Sequence, residues 1–167
     1  MRPIGVIRAA IFALPLALCF GCGDDDASSE NAAPRTATMP VAAPSRAGTK
    51  VVLRESQFGK ILFNSDRQAI YLFDTEDSTK PRCYGDCAAA WPPVYANGKP
   101  RLGRGLDPDL VGTTERRNGR RQITYGGHPL YYYAHEGPGQ VLCHDIEEFG
   151  GLWLVVKRSG KPVPGSA

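Results

Sequence analysis

Ile70-Tyr71-Leu72-Phe73-Asp74-Thr75-Glu76 reads apolar-Tyr-x-aromatic-x-x-Glu, and Leu130-Tyr131-Tyr132-Tyr133-Ala134-His135-Glu136 reads the same. The two stretches stay in step beyond this point. Cys83 lies 12 residues after Tyr71 and Cys143 lies 12 after Tyr131. Trp91 and Trp153 then close each unit, with Val94 and Val155 within three residues of them. Self-similarity at a spacing of 60 residues (131 − 71) implies one supersecondary unit used twice, about 58–95 and about 120–157.

Working outward from these stretches, the signals are mostly β. Val51 to Arg54, Lys60 to Phe63 and Ala69 to Phe73 are short runs of branched and aromatic residues separated by turn-formers such as Asn64-Ser65-Asp66. Asn118-Gly119 is a two-residue hairpin signal between Val111 to Arg117 and Arg120 to Tyr125. Gly126-Gly127 marks a further turn into Pro129 to Ala134, and Leu152 to Lys157 reads as a last strand. Tyr84 to Trp91, with Ala88-Ala89-Ala90, favours a short helix that Pro92-Pro93 ends. Asp145 to Phe149, stopped by Gly150-Gly151, is expected to be its shorter counterpart. The connection from Tyr95 to Leu110 is expected to be the loosest part. The predicted fold is therefore mainly β and antiparallel, α+β with one or two short helices, with two pseudo-symmetric units packed as one small domain.

Cys83-Tyr84-Gly85-Asp86-Cys87-Ala88-Ala89-Ala90-Trp91-Pro92-Pro93, Thr124-Tyr125-Gly126-Gly127-His128-Pro129-Leu130-Tyr131-Tyr132-Tyr133 and Gly150-Gly151-Leu152-Trp153-Leu154-Val155-Val156 join the two tyrosine stretches and Gly59-Lys60-Ile61-Leu62 in one pattern. Together they resemble the bacterial predicted lipoproteins with a Yx(FWY)xxD motif, also called the secreted repeat of unknown function. The resemblance covers roughly residues 58 to 157. Glu76 and Glu136 stand where the family pattern has Asp, which keeps the carboxylate and lengthens it. The resemblance implies a lipid-anchored envelope protein and carries no established activity.

The N-terminus points to the same address. Arg2 and Arg8 precede an apolar run from Ala9 to Phe20, too short to span a bilayer and shaped like a secretory signal peptide over residues 1–21. Cleavage before Cys22 would leave that thiol for lipidation, with small Gly21 at the preceding site. The Ala, Ser, Thr and Pro composition of residues 22–49 cannot bury enough surface to order itself and reads as a disordered linker. The folded domain is expected over 50–158, with a flexible tail at 159–167. Removing Arg2 and Arg8 with the leader lowers the charge from +3 to +1, that is 18 basic against 17 acidic residues. So small an excess argues against nucleic acid as a partner, because phosphate binding needs a concentrated basic surface. Seven basic residues do cluster between Lys99 and Arg121, against Asp107, Asp109 and Glu115. Most such runs are solvated loop; a lipid headgroup or polyanion is the alternative.

Outside the cytoplasm thiols tend to pair, so Cys83, Cys87 and Cys143 are disulfide candidates first. Cys83 could join Cys87 at a helix start or loop, or join Cys143 across the pseudo-symmetric core. The family resemblance favours Cys83 with Cys87, a pair its members often carry alone. A second reading gathers Cys83, Cys87, Cys143 and His144 into a copper or zinc site, or an electron-transfer site. Tyr71, Trp91, Tyr131, Tyr133 and Trp153 are either core or an aromatic face for cell-wall sugar rings, and two-sided coverage of their strands favours core. Asp74 and Glu76 would share a strand face, while His128 and His135 read as unrelated surface or turn histidines. No Gly-x-Ser-x-Gly, His-Glu-x-x-His or phosphate-binding glycine loop occurs. The expectation is a non-enzymatic envelope protein of unknown molecular activity, without a cofactor, touching the membrane through its lipid and an envelope protein or cell-wall glycan through its domain.

Overall fold

The computed structural model describes residues 48–165. The expected signal peptide, Cys22 and all but the last residues of the linker lie outside the described residues. Three small sheets make up the domain. The first pairs β1 (Lys50–Ser56) with β2 (Gly59–Asn64) as an antiparallel hairpin and adds a short parallel strand, β4 (Arg101–Leu102). The second has the order β3 (Tyr71–Phe73), β9 (Gly151–Val155), β8 (Ile146–Glu148), and the third runs β5 (Val111–Glu115), β6 (Arg121–Tyr125), β7 (His128–Pro129). The fold is mainly β, as its branched and aromatic runs dictate. One short helix, α1 (Asp86–Ala90), and a 3₁₀ turn at Pro108–Leu110 complete the described elements.

The central strands are apolar on both faces because they separate two clusters of buried side chains. Tyr71, Phe73, Tyr131, Trp153 and Val155 face an aromatic cluster that also holds Ile61, Phe63 and Trp91. Their neighbours Ile70, Leu72, Leu130, Leu154 and Val156 face an aliphatic cluster with Leu62, Val94 and Ile123. This alternation follows from the two-residue period of a strand. It answers why neither face of Ile70-Tyr71-Leu72-Phe73 is polar.

Bonds between the units come in matched sets. Tyr71 and Tyr131 exchange backbone hydrogen bonds, each N–H donating to the other's carbonyl at 2.9 Å. Tyr71 lies opposite Val155, two residues after Trp153, and Tyr131 lies opposite Pro93, two residues after Trp91. Leu62 N–H donates to Val156 O at 2.9 Å, and Ile123 N–H donates to Val94 O at 2.8 Å. In both cases a strand of one unit pairs with the segment after the other unit's tryptophan.

Four expectations need correction. Asp145 to Phe149 is not a helix: Ile146–Glu148 is a strand, and Ile146 pairs with Trp153 while Glu148 pairs with Gly151. Phe149 and Gly150 form a two-residue turn with φ of 56° and 80°, the left-handed pair that a tight hairpin selects. Asn118-Gly119 does end a hairpin, but inside a three-residue loop. Gly119 N–H donates to Arg116 O, Arg116 N–H donates to Arg120 O, and Gly119 alone has positive φ. The segment expected as a free tail folds back through residue 165: Val163 N–H donates to Val155 O, and Val163 packs on the aromatic cluster. The Tyr95 to Leu110 connection is pinned where Arg101 and Gly103 donate to Thr49 and Val51, with Leu106 buried.

Candidate functional site

The chemistry-bearing residues of the repeat converge at the seam between the units. Tyr71 Oη donates to Glu136 Oε1 at 2.6 Å, and Tyr131 Oη donates to Glu76 Oε1 at 2.8 Å, so each unit's phenol is held by the other's carboxylate. Glu76 Oε1 also accepts the backbone N–H groups of Arg82 and Cys83, at 2.6 and 3.2 Å. Glu136 Oε1 accepts that of Leu142 at 2.5 Å. Each carboxylate thus ties a phenol to the chain around its own unit's cysteine. Glu76 is placed by a turn just after β3, where its N–H donates to Phe73 O. That turn buries Glu76 and leaves Asp74 exposed, so the two acids do not share a strand face.

Both carboxyls are buried, and the second oxygen of each, Oε2, has no hydrogen-bond partner among the described residues. Burial therefore raises both pKa values above the ordinary carboxylate range, although the donors to Oε1 pull the other way. For Glu76 the nearby Arg116 guanidinium also opposes the rise. The partner phenols respond in the same direction. Burial first, and the adjoining carboxylate second, push Tyr71 and Tyr131 well above the usual tyrosine range.

Between these pairs the two indoles stack, with Trp91 and Trp153 centroids 4.0 Å apart and planes 3° from parallel. Tyr71 meets Trp91 edge-on and Tyr131 meets Trp153 edge-on, at 5.2 and 5.3 Å. Phe73 stacks on Trp153, and Tyr133 lies against Trp91. Both indole N–H groups end on one residue that sequence reasoning missed: Trp91 donates to Glu148 Oε2 at 2.7 Å and Trp153 to Glu148 O at 3.2 Å. A buried indole needs such an acceptor, and the glutamates before Gly150-Gly151 were the signal to follow. Arg116 was also missed as a core residue. Its guanidinium donates to Gln122 Oε1 and to Cys83 O and lies over the Tyr84 ring.

Tyr71, Trp91, Tyr131 and Trp153 are fully buried. They cannot serve as the aromatic face considered for sugar rings, because no ring face among them is open to stack; only Tyr133 keeps part of its surface. Cys83 and Cys87 are joined by a disulfide at the start of α1, with Cα atoms 5.3 Å apart. Cys143 is free and half-buried. Burial holds its thiol above the ordinary range, while a hydrogen bond from Tyr133 draws it back, and a thiol so placed is a poor nucleophile or metal ligand. His144 has its two ring nitrogens near Pro164 O and Val155 N, at 3.3 and 3.4 Å. The set Cys83, Cys87, Cys143 and His144 is therefore not assembled as a copper or zinc site. Two of its sulfurs are bonded to each other, and no group of three or more His, Cys, Asp or Glu among the described residues has metal-holding geometry. His128 Nδ1 lies 3.0 Å from Glu76 O, and His135 is exposed beside Tyr133.

Residues 112–157 match the family model described as a secreted repeat of unknown function. The matched repeat begins in β5 and runs past the end of β9, so it contains Tyr131, Glu136, Cys143 and Trp153. It is the second of the two units and the family whose motifs the sequence resembles. The first unit, with the same tyrosine, glutamate, cysteine and tryptophan in order, lies outside the matched residues. No curated protein and no solved structure matches the chain. The secreted-repeat match, together with the Cys83–Cys87 disulfide outside it, marks an extracytoplasmic protein.

Proposed function

We propose that the chain is a lipid-anchored protein of the bacterial envelope, held to the membrane through Cys22, whose domain is a rigid, non-enzymatic binding or structural module. The observation that carries this reading is the use of the repeat's own signature residues. Tyr71, Tyr131, Glu76, Glu136, Trp91 and Trp153 are bonded or stacked on one another across the seam, so the motif is spent on holding two units together. A motif conserving core architecture suits a scaffold that presents other surfaces to partners, an envelope protein or cell-wall glycan among them. The secreted-repeat match and the disulfide support the address, and the form of residues 1–22 supports the lipid.

The test is metabolic labelling of cells with a clickable fatty acid. The wild-type chain should carry the label and sediment with membranes, while Cys22→Ala should lose both properties. An unlabelled wild-type chain, or a labelled Cys22→Ala variant, overturns the anchor.

A further inference from the structure

A cleft of about 590 Å³ opens where the two units meet beside the start of the described chain, outside the buried tyrosine–glutamate and indole cluster. Its size falls within the range of small-molecule sites, roughly 300–1,000 Å³. Its wall brings together residues distant in sequence: Lys50 from β1, Asn64 at the end of β2, Asp66 from the turn that follows, Arg101 from β4, Arg120 from the β5–β6 hairpin, and Tyr95. Three cations face one acid there, and none of the three takes part in the ion pair found among the described residues, Lys60 with Glu55. Arg120 is already oriented, its guanidinium 3.3 Å from the centre of the Tyr95 ring. The rest of the lining alternates amide and hydroxyl groups (Asn97, Thr49 and Ser65) with apolar facets of Pro93 and Tyr132.

We propose that this cleft binds an anionic saccharide, a sugar bearing a carboxylate or phosphate. The chemistry divides by ligand part. Arg101 and Arg120 offer planar donor forks to the acid group, and Lys50 adds a point charge. The amides and hydroxyls match sugar hydroxyls, and Pro93 with Tyr132 matches the apolar face of the ring. A lone phosphate would leave most of the volume and these polar groups unused. The framework is fixed before any ligand arrives: Thr49 Oγ1 donates to Tyr95 O at 2.7 Å, Arg101 N–H donates to Thr49 O, and Gly48 lies so close to Lys99 O that a side chain there would collide. The inference rests on the binding role proposed above and assigns it a place and a ligand class; it is independent of the lipid.

The experiment uses the full chain carrying Cys22→Ser, so that membrane attachment contributes nothing. Calorimetric titration with a short oligogalacturonate should give salt-sensitive binding, and the fully methyl-esterified oligomer should not bind. Arg101→Gln and Arg120→Gln should each weaken binding at least about fivefold, close to 1 kcal/mol. Arg104→Gln, outside the cleft, should bind as the parent does, and thermal melts should confirm that every variant is folded. Equal binding of the esterified oligomer, unchanged binding in both cleft variants, or an equal loss in Arg104→Gln overturns the proposal. So does equally strong competition by inorganic phosphate or by phosphatidylglycerol vesicles, since that would identify a bare anion site.

Discussion

Glu76 and Glu136 set an unusual pH response. A carboxyl whose pKa is higher in the folded chain than in the unfolded one holds its proton more tightly when folded. Its contribution is fully present below the unfolded value, near 4.5, and is lost as pH rises through the raised folded value. Acidification from neutrality towards pH 5, as a round figure, should therefore raise the stability of this domain, where paired surface carboxylates would lower it. The urea midpoint of the full chain should increase over that interval, and Glu76→Gln with Glu136→Gln should flatten the profile. A wild-type midpoint that falls over the same interval would contradict the assignment. At the alkaline end the raised phenols of Tyr71 and Tyr131 have the same sign, so stability should decline once pH exceeds the ordinary tyrosine range.

At the scale of elements, the β8–β9 hairpin is the most informative. Phe149 holds φ of 56° in a two-residue turn and is 46 % exposed, so it bears a conformational cost with little burial in return. Asn tolerates that region and is favoured before Gly in such turns. Phe149→Asn should stabilise the domain by about 0.5–1 kcal/mol, read as a higher denaturation midpoint at unchanged slope. A lower midpoint would mean that the phenylalanine ring contributes more than the turn costs it. This element was also the least legible in the sequence. Asp145 to Phe149 carries a helix stop at Gly150-Gly151, and nothing local reveals that Ile146 pairs across to Trp153. The strand at Tyr71 was legible from its branched and aromatic run, and α1 because Pro92-Pro93 limits it; the expected strand Pro129 to Ala134 stops at Pro129, and Tyr131 is held only by isolated bridges to Tyr71 and Pro93. The buried glutamates were visible as a repeated position, but their crossing to the opposite unit's phenol is a tertiary fact that spacing does not encode. Val163 was hidden for the same reason: a Gly and Pro-rich end looks free until its backbone finds Val155.

The whole molecule behaves as two half-cores that complete each other. The second sheet joins β3 of the first unit to β8 and β9 of the second, and the indole stack takes one ring from each. Leu62 pairs with Val156 and Ile123 with Val94, so neither unit closes its own sheet. A lone copy would leave Tyr131 without Glu76 and would uncover both faces of Trp153, which stack on Trp91 and Phe73 of the first unit, removing a large apolar burial from a domain with little to spare. The family-matched segment, residues 112–157, is thus expected not to fold alone. Expressed as a separate peptide it should give poorly dispersed amide resonances and no cooperative melt. Splitting the domain between Arg104 and Gly105, both exposed in the link after β4, instead gives two fragments that each hold one complete unit. Mixed at equal concentration, these fragments should reassemble, with a melting temperature that rises with concentration as mass action requires. Cooperative folding of the 112–157 peptide by itself would show that the units are independent and that the crossed tyrosine–glutamate bonds are incidental to the architecture.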